Sequence, residues 1–131
     1  MTQSTTPTDS AKLFVIVDDV EAIRTFLQSL LEYNGHKCET FGDASSTMQY
    51  LATNKPDTIL VDLNLGSDEL DGLGLIQSIR KVHATVPVIV LTGMGMEDGI
   101  VPRAIQAGAS GYLTKGLSAE TVYHEIIKYT R

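Results

Sequence analysis

Residues 13–19 read Leu-Phe-Val-Ile-Val-Asp-Asp, five apolar side chains in unbroken succession followed by two carboxylates. A run this short, rich in β-branched residues and without alternation, is the pattern of a strand buried on both faces. Outward from it, Thr58–Val61, Val86–Leu91 and the briefer Gly111–Leu113 repeat the pattern. Lys37–Phe41 alternates more and reads as an edge strand. Between the strands, apolar residues recur at helical spacing: Ile23, Leu27, Leu30 and Leu31, then Ala44, Met48, Leu51 and Ala52, then Leu75, Ile76 and Ile79, and finally Val122, Ile126 and Tyr129. Ser118 is a good N-cap for the final helix, and Leu117 is spaced to pack on Val122 as a hydrophobic staple. Gly99–Gly108 is the weakest helix of the set. Gly99 and Pro102 are tolerable only in its first turn, and Ile100, Ala104 and Ala107 give it a thin apolar stripe.

Strands alternating with helices predict an α/β fold, a single doubly wound parallel sheet with helices on both faces. The 131 residues fit one domain, and no internal repeat or second domain is visible. Residues 1–12, rich in Ser and Thr, are expected to form a flexible tail ahead of a domain spanning 13–131. No apolar run approaches the roughly 20 residues of a membrane span, and the tail has no signal-peptide core, so a cytoplasmic protein is expected. One cysteine, Cys38, cannot form an internal disulfide and reads as a small strand residue in a reducing compartment. The formal charge of −6 opposes attraction to phosphate backbones, so direct nucleic-acid binding is not expected.

In sheets of this kind chemistry gathers at the carboxyl ends of the strands. The first strand ends in Asp18-Asp19, the third in Asp62 and the fourth in Thr92, and Lys115 follows the last. All five therefore meet on one rim. Two carboxylates ~4 Å apart repel by about 4 kcal/mol at an effective dielectric near 20, so three together require a compensating cation beyond Lys115. Hard oxygen ligands and a net negative charge suit Mg²⁺, which keeps several waters and uses one or two carboxylates.

With these residues in place the chain resembles a response-regulator receiver domain of two-component signalling. The resemblance rests on Asp18-Asp19-Val20-Glu21-Ala22-Ile23-Arg24, the strand leading to Asp62, Asp71-Gly72, Leu91-Thr92-Gly93 and Gly108-Ala109-Ser110-Gly111-Tyr112-Leu113-Thr114-Lys115. It implies a flavodoxin-like sheet in the order 2-1-3-4-5. It also implies that Asp62 accepts a phosphoryl group from the phosphohistidine of a sensor histidine kinase or histidine phosphotransfer protein. Asp19, Asp62 and the backbone carbonyl of Asn64 would hold Mg²⁺ directly, and Asp18 through water. Lys115 and Thr92 would grip the incoming phosphoryl oxygens. Thr92 would then move toward the new group and Tyr112 turn inward, carrying the signal to the outer face of the last helices. A downstream protein or a second copy of the chain would dock there, on a stripe of Tyr123 and Ile127 that could equally broaden the core.

The chain departs from the family at three places. No Pro follows Asp62, and Asp71 lies nine residues after it where seven is usual, the extra residues falling in Gly66-Ser67-Asp68-Glu69-Leu70. Gly116 follows Lys115 where a cis-proline is usual, so that bond is expected to be trans, leaving room for a different seating of Lys115. Gly93-Met94-Gly95-Met96 gives unusual backbone freedom after Thr92.

Three rivals compete with this reading. An aspartate-nucleophile phosphatase needs a second Asp two residues after Asp62, where Asn64 stands. A flavin carrier of the same architecture would meet repulsion from Asp18-Asp19 at its phosphate. A receiver-like interaction module working without phosphorylation has no need of Asp62, Thr92 and Lys115 together. The chain reads as a stand-alone receiver or a piece of a longer regulator.

Overall fold

The computed structural model describes residues 11–63, 72–93 and 99–130. In chain order the elements are β1 (Leu13–Val17), α1 (Glu21–Tyr33), β2 (Lys37–Phe41), α2 (Ala44–Leu51), β3 (Thr58–Asp62), α3 (Gly72–Val82), β4 (Val88–Thr92), α4 (Ile100–Ala107), β5 (Gly111–Thr114) and α5 (Ala119–Tyr129). All four strand pairings are parallel, and the lateral order is β2-β1-β3-β4-β5, as expected. No helix among the described residues is long and apolar enough to cross a membrane.

The unbroken apolar runs are explained by burial on both faces. Successive strand side chains point to opposite sides, so β1 sends Val15 and Val17 to one core with Ile59, Val61, Val88 and Val90, and Phe14 and Ile16 to the other with Leu60, Ile89 and Leu91. Leu51 of α2 and Leu75, Ile76 and Ile79 of α3 close the first core; Leu27 and Leu31 of α1 and Val122 and Ile126 of α5 close the second. β2 lies at one edge of the sheet, half-exposed along its length, and β5 lies at the other with Tyr112 and Thr114 facing out.

Four strand boundaries differ from the sequence reading, β4 and β5 ending one residue later than expected, at Thr92 and Thr114. β4 begins at Val88 instead of Val86, because Pro87 has no N–H to donate and contributes only its carbonyl, which accepts from Ile59 N at 2.9 Å. β3 extends to Asp62, which pairs with Leu91. The Tyr123 and Ile127 stripe belongs to the core: both pack against the second cluster, and Tyr123 Oη lies 2.9 Å from His36 Nε2. That histidine accepts from Lys12 N on Nδ1 at 3.0 Å, so in the neutral ring the proton is on Nε2 and is donated to the tyrosine. At the same amino edge of the sheet Thr58 Oγ1 donates to Thr130 Oγ1 at 2.9 Å, tying down the end of α5.

α4 is as weakly built as its sequence suggests. It starts at Gly99, whose φ of 87° lies in the left-handed region, lacks a side-chain cap, and buries only Ala104. Its carboxyl end is held by Arg80 of α3, whose Nε donates to Gly108 O at 2.8 Å. Nη1 of the same guanidinium donates to Val86 O at 2.6 Å and to His83 O at 3.2 Å. Partial burial lowers the pKa of this guanidinium from its ordinary value. A Cβ on Gly108 would stand 2.6 Å from Arg80 Cγ, so the glycine serves both the turn and the arginine. Arg80→Met keeps most of the stem and leaves these carbonyls without their donor. The expected cost is about 2 kcal/mol, read as a lower urea midpoint with an unchanged m-value.

Candidate functional site

Parallel register delivers the polar residues to one rim. Val17 pairs with Val61, Asp62 with Leu91 and Thr92 with Thr114, so the residues at or just after these strand ends share one level. Asp18, Asp19 and Asp62 each bring one carboxylate oxygen within 4.8 Å of the others. Asp18 and Asp62 are buried while Asp19 is exposed. Lys115 Nζ stands 3.1 Å from Asp18 Oδ2 and 3.4 Å from Asp62 Oδ1. Thr92 is buried, with Oγ1 3.4 Å from Leu113 O, and its carbonyl accepts from Lys115 N at 2.7 Å, which extends the β4–β5 ladder to the lysine.

The turn after β1 is tied at several points. Asp18 N donates to Phe41 O at 3.1 Å, and Asp18 Oδ1 accepts from Val20 N at 2.9 Å. Asp18 Oδ2, fully buried, has no hydrogen-bond donor; the Lys115 ammonium neutralises part of its charge without the alignment of a hydrogen bond. A buried acceptor left in this state is costly. Among the described residues, three acids answered by one ammonium leave a net negative pocket of oxygen atoms, a donor set that fits Mg²⁺. Asp19 has no hydrogen bond or ion pair among the described residues, so both its oxygens are available to a ligand.

The structure brings together five of the residues singled out in the sequence: Asp18, Asp19, Asp62, Thr92 and Lys115. Tyr112 stands apart on β5, 48% exposed. Asn64, the loop Gly66–Leu70, Asp71 and Met94–Met96 lie outside the described residues, as do residues 1–10 of the expected tail. The Lys115–Gly116 peptide is trans, and Gly116 takes a left-handed φ of 94°. With this turn the ammonium still reaches both buried acids. Cys38 is no part of the site: burial first, then the charges of Glu32 and Glu39, push its thiol up to about 12, which keeps it protonated and unreactive.

Two features went unread in the sequence. Gly72, noted there only beside Asp71, opens α3 against the backbone that follows Asp62: a Cβ on it would lie 2.5 Å from Leu63 Cα and 2.8 Å from Asp62 O. The other is an apolar groove next to Lys115, walled by Ile23, Phe26, Leu113, Leu117 and Val122. Its readable signal is Phe26, which lies off the core stripe of α1 and is 41% exposed.

The family model for the response regulator receiver domain matches residues 14–127. The nitrogen assimilation regulatory protein NtrX of Azorhizobium caulinodans is 33% identical over 106 residues, which are 81% of this chain and 23% of that protein. The chain thus spans less than a quarter of that relative's length. The crystal structure of the receiver domain of NtrX from Brucella abortus superposes with a TM-score of 0.81 at 29% identity, covering 88% of this chain and 96% of that one. A response regulator protein from Burkholderia pseudomallei, crystallised with a phosphorylated aspartic acid, a calcium ion and citrate, gives a TM-score of 0.78 at 27% identity, over 88% of this chain and 66% of that one.

Because the atoms facing Gly72 are backbone, a side chain there has no flexible neighbour to displace. Gly72→Ala is expected to lower stability by about 1–3 kcal/mol and to shift the amide resonances of Asp62 and Leu63, checked by thermal melting and ¹⁵N NMR.

Proposed function

The chain belongs to the response regulator receiver domain family, and on that premise we propose that Asp62 accepts a phosphoryl group from the phosphohistidine of a sensor histidine kinase or a histidine phosphotransfer protein. The observation that carries this reading is the cluster of three carboxylates, two of them buried, in which Asp18 Oδ2 lacks a donor and, among the described residues, one ammonium stands against three acids. Such a pocket favours a divalent cation, and the presence of a phosphorylated aspartic acid and a calcium ion in the crystal structure of a similar response regulator supports the same chemistry here. When bound, Mg²⁺ supplies positive charge against the phosphoryl oxygens. Asp19 and Asp62 would hold it directly, with the carbonyl of Asn64, and Asp18 through water. The bond from Val20 N to Asp18 Oδ1 supports the indirect role for Asp18, since Asp19 has both oxygens free of such ties.

In the transfer, a carboxylate oxygen of Asp62 attacks phosphorus and the bond from phosphorus to the donor imidazole breaks. The electron pair goes to the ring nitrogen, and the product is an acyl phosphate. Lys115, 3.4 Å from Asp62 Oδ1, is placed to follow the charge onto the phosphoryl oxygens, and the hydroxyl of Thr92 is the neutral donor at the next strand end. Asp62 is buried at the end of β3, so in this reading the donor approaches across the rim. The exposed apolar residues Val20, Phe26 and Leu117 beside it suit a donor helix that brings its histidine there. On the output side the exposed Tyr112 of β5 and Ile105 of α4, rather than Tyr123 and Ile127, form the surface offered to a downstream protein or a second copy. The chain acts in this reading as a signalling domain, with no separate substrate to turn over.

Incubation with acetyl phosphate and Mg²⁺ is expected to add one phosphoryl group, seen by intact mass, in the wild type and none in Asp62→Asn; equal modification of the two proteins would remove Asp62 from the role. In Mg²⁺ titrations Asp19→Asn is expected to weaken binding more than Asp18→Asn, because losing a direct oxygen ligand costs more than losing one that acts through water. The reverse order would exchange the two roles.

A further inference from the structure

The Asp18-to-Arg24 segment contains one basic side chain, and the proposed chemistry does not use it. Arg24, on the first turns of α1, donates from Nη1 to the backbone carbonyl of Asp18 at 2.6 Å. The β1–β2 pairing runs out at Val17 and Phe41, and Asp18 N makes the last bond of that edge, to Phe41 O. The next carbonyl has no strand to accept from, and the guanidinium takes the strand's place with a charge-assisted bond.

A peptide unit is rigid and planar, so fixing the carbonyl of Asp18 fixes the N–H and Cα of Asp19 on the other side of the same bond. Asp19 is the exposed acid whose carboxylate has no tether of its own among the described residues. The backbone therefore sets the point and the Cα–Cβ direction from which it reaches the cluster. The seat of the guanidinium is also built. A Cβ on Gly42, in the turn after β2, would stand 3.2 Å from Arg24 Nη1 and 3.8 Å from Cζ. Gly42 does not adopt a left-handed φ, so the turn does not require glycine for its conformation; the missing side chain leaves the guanidinium room.

We propose that Arg24 is a positioning residue for the acidic pair, holding the Asp18–Asp19 peptide so that the Asp19 carboxylate points into the cluster, with Gly42 providing its seat. This rests on the reading of the cluster as a Mg²⁺ site. The sign of the effect separates positioning from charge. As a charge alone, Arg24 repels a cation, and removing it would tighten Mg²⁺ binding. As a positioning group, it aids binding, and removing it loosens the ion, as loss of a residue that orients a ligand commonly does by 10–100-fold.

The test is Mg²⁺ titration by calorimetry on the wild type, Arg24→Met and Gly42→Val, with ¹⁵N NMR of the metal-free proteins. Arg24→Met is expected to bind Mg²⁺ about tenfold more weakly and to shift the ¹⁵N resonance of Asp19, whose amide shares the peptide with the freed carbonyl. Gly42→Val, which fills the seat while keeping Arg24, is expected to change both readouts in the same direction and carries the test if Arg24→Met does not fold. Affinity equal to or tighter than wild type in a folded variant, or an unmoved Asp19 resonance, overturns the proposal while the Mg²⁺ site stands. A wild type that binds no Mg²⁺ overturns the reading of the site, and this proposal falls with it.

Discussion

Three carboxylates that repel one another stand on one rim because the register of a parallel sheet fixes the backbones that carry them. The backbone of Asp62 could move away from that of Asp18 only if β3 slipped against β1, and a slip of one residue would turn every side chain of β3 to the opposite face. Ile59 and Val61 would leave one core and Leu60 the other, and all three are fully buried. Hydrophobic burial along the strands therefore sustains an electrostatic arrangement that their ends would not adopt alone. Lys115 relieves part of the repulsion from the end of β5, two strands from β3 and three from β1, and it can do so because the β4–β5 ladder runs on to its N–H.

Much of this was legible from the chain. Leu13–Val17 and Thr58–Val61 declare two-sided burial by their lack of alternation, and the carboxylates that follow them mark the rim. The expected thinness of α4 is visible in Gly99, Pro102 and the few apolar residues between them. What stayed hidden depends on partners distant in sequence. Arg80 finds Gly108 and Ser110 only once α3 and α4 are side by side, and His36 meets Tyr123 across 87 positions. Helical spacing could say that Tyr123 and Ile127 share a stripe, but whether α1 and β2 come close enough to cover it is a property of the packed molecule. Pro87 is the opposite case: its missing donor was in plain view, and counting apolar residues outweighed it.

The two edges of the sheet are built differently. At the amino edge Arg80, His36 and Thr58 cross-link α3, α4 and α5 to the strands with side-chain hydrogen bonds. At the carboxyl edge the described contacts are the charged cluster, the turn held by Arg24 and the close seat of Gly72 on Leu63. α4 joins the two regimes. Its end at Gly108 is anchored by Arg80, whereas its start at Gly99 has no cap and little buried surface, so local opening costs least at the end nearer the rim.

Lys12 and Thr130 are both fastened at the amino edge, the first through His36 and the second through Thr58. A five-residue strand such as β3 (Thr58–Asp62) is about 17 Å long, so cargo grafted beside either residue begins a full strand length from Asp62. The architecture thus works as a cassette. A fluorescent reporter or an affinity handle can be attached on that side while the rim stays open to visitors, and neither appendage has to be shaped to suit the other.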